Sequence, residues 1–228
     1  MRPLEQIFMV GPGTEVFYSF IIIVCSLMVY FGTKELYELS SYKGIKYFRL
    51  SFLFFALAYF FRSFITFILS FFNIGTIHEF SPIFMPIGPL TLLLFMYFSS
   101  MALFYLLYSI IWKKWDKNSI MVYTFHIIAV IISLVSIFSR RMEVLLGINI
   151  FLFIFVSSVF YVAHKDKKIK NKWNNLYAVY ILLLIFWVLN IIDILIPPFL
   201  QTFQMVIYLA SCGIFLIILY KVLKKTGN

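Results

Sequence analysis

Long apolar blocks separated by short polar segments run through the chain. The longest block, Tyr47–Phe72 (YFRLSFLFFALAYFFRSFITFILSFF), is near-continuous in Phe, Leu and Ile, with one arginine, Arg62, well inside it. A bilayer's hydrocarbon core needs about 20 apolar residues of helix to cross it. Seven blocks reach that length or come near it: Val16–Phe31, Tyr47–Phe72, Pro89–Trp112, Ile120–Phe138, Val144–Ala163, Leu176–Ile196 and Leu200–Leu223. The first is expected to run on as helix through FGTKELYELS. Pro82, Pro86 and Pro89, with two glycines, break the segment after the second block, and Pro197 and Pro198 end the sixth. Other connections are short, so successive helices are expected to pack as antiparallel neighbours. The predicted fold is all-α: one seven-helix transmembrane bundle over residues 1–228.

Composition strengthens this reading. The chain is 63% hydrophobic and 12% charged, with a mean hydropathy of +0.99. Soluble domains sit near 45–50% apolar and about 25% charged. The formal net charge of +10 would suggest nucleic acid in a soluble domain. Here the basic residues cluster between spans, so the expected partners are the bilayer and its anionic lipids, not nucleic acid. The first apolar run has no basic region abutting it and is expected to be retained rather than cleaved. The Phe, Ile and Lys excess fits an AT-rich microbial genome, and the expected location is the plasma membrane of a prokaryote.

Placement of the basic residues gives a direction. Fifteen lysines and arginines fall on one set of flanks: Lys34–Arg49, Lys113–Lys117, Lys165–Lys172 and Lys221–Lys225. The opposite flanks hold only Arg2, Arg140 and Arg141. Basic flanks stay cytoplasmic, so the N-terminus is expected outside and the C-terminus in the cytoplasm. The run His164–Trp173 (HKDKKIKNKW) would meet anionic lipid or a cytoplasmic protein partner.

The spans carry polar stripes. Residues three, four and seven apart share a helix face. Tyr59, Arg62, Ser63, Thr66 and Ser70 form one stripe on the second span, and its remaining Phe, Leu and Ile surface suits lipid. Asn190 and Asp193 share a face with Phe186 on the sixth span, and Gln201, Gln204, Tyr208 and Ser211 share one on the seventh. The first span offers Glu15, Ser19, Ser26 and Tyr30, and the fifth Asn149 near its outer end. At a rise of about 1.5 Å per residue, Arg62 lies roughly 21 Å and Asp193 roughly 24 Å from the inner boundary. Intramembrane charges are costly unless paired. An Arg62–Asp193 ion pair facing the interior is therefore expected, with Asn190 and Thr66 satisfying leftover groups. It could shape a ligand pocket with Tyr59, Gln204 and Tyr208, or lock two helices. Separate snorkelling of each charge is the third possibility.

Other residues read as packing. His126 has no second histidine within the spans, which disfavours bis-histidine haem ligation. Cys25 and Cys212 offer no disulfide framework or zinc spacing. They lie at comparable depth on the first and seventh spans, which neighbour one another in seven-helix rings. Ser99–Ser100–Ala102, Ser157–Ser158 and Ala210–Gly213 let backbones approach closely. No cofactor or metal is expected.

Seven spans in this order resemble seven-helix receptors and microbial rhodopsins in topology. The mid-span retinal lysine, the DRY-like triplet and the NPxxY motif of those families are absent, as is the proline–glutamine pair of small sugar and amino-acid carriers. No GxSxG, HExxH or paired-acid motif appears, so a non-enzymatic role is expected. Two roles are carried forward. One is a receptor- or sensor-like module with an outward polar pocket; its short tail, KKTGN, would require a separate output partner. The other is a small-solute transporter. Phe98–Lys114 aligns without gaps on Leu209–Lys225, matching Ser100 to Ser211 and Phe104 to Phe215. That match suggests two three-helix repeats joined by a linker helix.

Overall fold

Wherever the chain is described, the apolar blocks form helices. The computed structural model describes residues 12–71, 87–115, 120–139, 142–165, 174–195 and 201–226. The helices are α1 (Pro12–Gly32), α2 (Lys34–Ser40), α3 (Lys43–Phe71), α4 (Ile87–Trp115), α5 (Ile120–Ser139), α6 (Met142–Lys165), α7 (Asn174–Leu195) and α8 (Gln201–Thr226). Most extend beyond the expected spans into their polar flanks, because backbone hydrogen bonding continues past the apolar block. The proline-bearing segment 72–86, most of His164–Trp173, Pro197–Pro198 and the arginines at 2, 140 and 141 lie outside the described residues.

The expected continuation of the first span is present with one interruption. Thr33 follows α1 as a turn, its hydroxyl donating to Val29 O at 2.7 Å and its amide to the same carbonyl at 3.1 Å. α2 then ends at Ser41, which takes a left-handed conformation (φ 49°) and donates its amide to Tyr37 O. This cap turns the chain into α3. Near that end, Gly44 lets α3 approach α4 closely. A Cβ there would lie 2.5 Å from Tyr42 Cε1, 2.8 Å from Trp112 Nε1 and 3.0 Å from Ser109 O.

Neighbour relations follow a ring. α1 packs on α3, α3 on α4, α4 on α5 and α6, α6 on α7, α7 on α8, and α8 back on α1. The expected adjacency of the first and last spans therefore holds, and Cys25 and Cys212 are both buried free thiols on these two helices. α4 is the inner element: every residue from Ser100 to Ser109 is buried. α5 lies at the edge, burying only the stripe Phe125, Ala129, Ser133 and Ser136.

The phenylalanines of α3 divide between its two faces. Phe48, Phe52 and Phe55 continue the face of Tyr59 and Arg62 at helical spacing and are core residues. Phe52, Phe55, Phe186 and Phe215 form a ring cluster, with the Phe186 and Phe215 centroids 4.6 Å apart. Phe60, Phe64 and Phe67 point outward instead. Bundle interiors and lipid are equally apolar, so hydropathy cannot separate the two faces.

Large apolar side chains also cover the outside, among them Phe17, Phe20 and Phe31 on α1, and Tyr123, Ile127 and Phe138 on α5. A water-soluble monomer does not expose such continuous apolar surface. Among the described residues, five helical stretches are long and apolar enough to cross a membrane: Gly13–Ser40, Lys43–Phe64, Pro89–Trp112, Ile120–Ser139 and Thr202–Lys224. Leu146–Ser158 and Ala178–Asp193 are shorter apolar stretches. The protein is a helical membrane protein.

Candidate functional site

Four helices deliver polar side chains to one end of the bundle. Glu15 sits in the first turn of α1, Asp193 in the last turn of α7 and Gln204 in the first turn of α8. α3 passes between them and contributes Tyr59 and Arg62. The Arg62 guanidinium lies between two carboxylates: Nε donates to Glu15 Oε1 and Nη2 to Asp193 Oδ2, each at 3.0 Å. The expected Arg62–Asp193 pair forms, and a second acid shares it.

The two carboxylates have different surroundings. Glu15 occupies a helix N-terminus, where the backbone dipole favours a negative charge. Asp193 occupies a helix C-terminus, where the dipole opposes one. Its side chain is 7% exposed, against 26% for Glu15 and 19% for Arg62. Asp193 therefore depends more heavily on its donors. Gln204 supplies another: its amide nitrogen donates to Asp193 Oδ1 and to the Tyr208 hydroxyl, both at 3.0 Å.

A neutral chain of hydrogen bonds runs beneath the charges. Asn190 Nδ2 donates to Phe186 O at 2.9 Å, which turns Oδ1 towards Tyr59. Tyr59 donates to that oxygen at 2.9 Å. Its single proton is then committed, so the Tyr18 hydroxyl, 3.1 Å away, acts as donor to Tyr59. Tyr18 also stacks on Tyr208, with centroids 4.5 Å apart and planes within 8°. Arg62 Cζ lies 5.8 Å from the Tyr18 ring centre and 5.9 Å from that of Tyr59. The guanidinium is held by rings as well as by acids.

Beside this cluster is a cavity of about 250 Å³, lined from α1, α3, α4, α6 and α7. Glu15, Arg62, Asp193 and Asn190 form its polar wall, and Phe55, Phe95, Phe186 and Trp187 much of the rest. Asn149 also lines this cavity, and its backbone carbonyl accepts the Trp187 indole N–H at 3.4 Å.

Of the residues singled out by sequence, Arg62, Asp193, Asn190, Tyr59, Gln204 and Tyr208 are brought into one network. The side chain of Thr66 lies outside the described residues, as does that of Gln201. Ser63 does not join, since its hydroxyl donates to Phe60 O on its own helix. Tyr18 was missed, although its spacing of three from Glu15 puts it on the same face. The pairing of Glu15 with Arg62 was missed as well. Its place one residue before the expected first span left it at the edge of the apolar block.

A second polar cluster lies between α4 and α5. His126 Nδ1 is 2.7 Å from the Tyr97 hydroxyl and Nε2 is 3.3 Å from that of Tyr105. This is the hydrogen-bonded packing role read from the sequence. Among the described residues, no three His, Cys, Asp or Glu side chains are grouped to hold a metal ion.

The chain is 32% identical over 228 residues to a protein of Archaeoglobus fulgidus described as an uncharacterized protein. The match covers 99% of this chain and 96% of that relative. No protein-family model matches the chain. No solved structure matches it. The chain belongs to the same family as the archaeal protein.

Proposed function

We propose that the chain is a receptor- or sensor-like membrane module that binds a small ligand in the cavity beside Arg62 and Asp193. In this reading residues 1–228 form a single seven-span domain in the plasma membrane of a prokaryote. The N-terminus and the cavity face outward, and the lysine-rich flanks face the cytoplasm. The role is non-enzymatic, with output passed to a separate cytoplasmic partner that meets the basic face. The observation that carries the reading is the cavity itself: a polar wall whose groups hold one another in place, facing an aromatic wall. The paired charges are satisfied without a ligand, so the pocket is preorganised and a ligand is spared the cost of ordering it.

A small-solute transporter is the second reading. It is favoured by the burial of Ser100 and Ser211, and of Phe104 and Phe215, at the matched positions of the two similar segments. Against it, α3 runs unbroken past the cluster and α1 and α7 are continuous over their described lengths, whereas transporter sites usually use helices interrupted in mid-span. One experiment separates the readings. The purified protein in lipid nanodiscs is screened against small solutes by thermal shift, and each hit is then tested for counterflow in proteoliposomes. A receptor gives a stabilising hit that Ser99→Phe, which fills the cavity from α4, abolishes, and that hit shows no counterflow. Counterflow of a hit establishes the transporter, and a screen without hits removes the pocket.

A further inference from the structure

The charge of the cavity wall narrows the ligand class, on the premise that the pocket reading above holds. Two carboxylates and one guanidinium meet there, so the described cluster carries a formal charge of −1. Arg62 is already engaged by both acids at 3.0 Å. An anionic ligand at Arg62 would sit beside two carboxylates and add to the surplus negative charge. A cation has the opposite experience, because it cancels the surplus charge where an uncompensated one is costly. The acceptor capacity left over lies mainly on Glu15. Asp193 uses both oxygens, one on Arg62 and one on Gln204. Glu15 gives only Oε1 to Arg62, and it lines the cavity.

The rest of the lining distinguishes among cations. A metal ion of the calcium or magnesium type gathers six or more oxygens, and no group of three potential acidic, histidine or cysteine ligands occurs among the described residues. The other wall is instead Phe55, Phe95, Phe186 and Trp187. Aromatic faces attract desolvated organic cations, with tryptophan the strongest of the three ring types. A volume of about 250 Å³ falls just below the usual range of ligand pockets, about 300–1,000 Å³. We propose that this cavity binds a small organic monocation, an alkylammonium with a compact apolar body. Its charge lies against Glu15 and its alkyl surface against Trp187 and the phenylalanine rings.

The test uses the whole protein in nanodiscs and isothermal titration at fixed ionic strength. The probes are tetramethylammonium chloride, sodium chloride and sodium propionate. The expected result is saturable binding of one tetramethylammonium per chain, lost in Ser99→Phe and weakened at least about tenfold in Glu15→Gln. Trp187→Leu is expected to weaken it by about three- to thirtyfold. Thermal unfolding of each variant shows whether it is folded. Trp187→Leu and Ser99→Phe leave both carboxylates in place and keep the test open if Glu15→Gln does not fold. Unchanged affinity in folded Glu15→Gln overturns the inference, as does one-for-one displacement by sodium. Binding of propionate, lost in Ser99→Phe, without binding of tetramethylammonium overturns the cation class and leaves the pocket standing. Silence from all three probes also overturns it, and the pocket reading then stands or falls on its own solute screen.

Discussion

The bundle solves the problem of polar groups among apolar helices in two ways. At one end, α1, α3, α7 and α8 bring together three charges, an amide pair and three tyrosines. Between α4 and α5, His126 meets two tyrosines and no charge comes near among the groups described. The first arrangement needs four helices because a guanidinium between two acids has donors in several directions. The second needs two, because an imidazole has one nitrogen on each side. Charge thus ties distant parts of the chain together, whereas the neutral cluster pins one helix to its neighbour. Removing Arg62 from the first cluster strands an ion; removing His126 from the second strands only hydroxyls.

The sharpest way to break this contrast is Arg62→Leu, which leaves Asp193 buried at a helix C-terminus without its counter-ion. A loss of about 3–5 kcal/mol is expected, read from unfolding in mixed micelles. The double variant Arg62→Leu with Asp193→Leu should recover most of it, since a well-packed apolar pair can replace a buried ion pair. Next in size is the difference between the acids. In double-mutant cycles the Arg62–Asp193 coupling should exceed the Arg62–Glu15 coupling, within a range of about 0.5–3 kcal/mol. Equal couplings would remove the distinction drawn from their burial and their helix ends. Tyr59→Phe removes a donor to Asn190 and an acceptor for Tyr18, and should cost about 1–2 kcal/mol by the same assay. Smallest is His126→Phe, which leaves two tyrosine hydroxyls without the imidazole, at about 1 kcal/mol. It should leave the Arg62–Asp193 coupling unchanged, and any change there would show that the two clusters communicate.

Much of this was legible in the chain, and the part that was not has a physical cause. Depth along a helix follows from counting residues, so Arg62 and Asp193 could be matched in height before their distance was known. Faces follow from spacing, which is how Asn190, Gln204 and Tyr208 were gathered. Rotation about the helix axis is different. A uniformly apolar surface does not by itself say which phenylalanines turn inward, and only the spacing of Phe52 and Phe55 from Tyr59 and Arg62 marks them. Helix ends were the second blind spot. Glu15 falls before the apolar block because charged residues are excluded from such blocks, although helical hydrogen bonding begins earlier. Chain flanks near an intramembrane charge therefore merit inspection as sources of its counter-ion. Arg49 teaches the same lesson at the opposite end. Counted as a topology signal, it also donates to Tyr30 O at 3.0 Å and sits over the Tyr30 ring, joining α3 to α1.

The two acids around Arg62 also differ in when they are made. Glu15 precedes the arginine by 47 residues and Asp193 follows it by 131. At about 5–20 residues per second, the ribosome takes roughly 7–26 s to reach the aspartate after finishing the arginine. Through that interval Arg62 has already been synthesised while its more deeply buried partner does not yet exist. The earlier glutamate, on the helix against which α3 packs, is the counter-ion available at once. The half-buried Glu15 is thus the first counter-ion Arg62 can meet, and the deeply buried Asp193 joins it only once α7 is made.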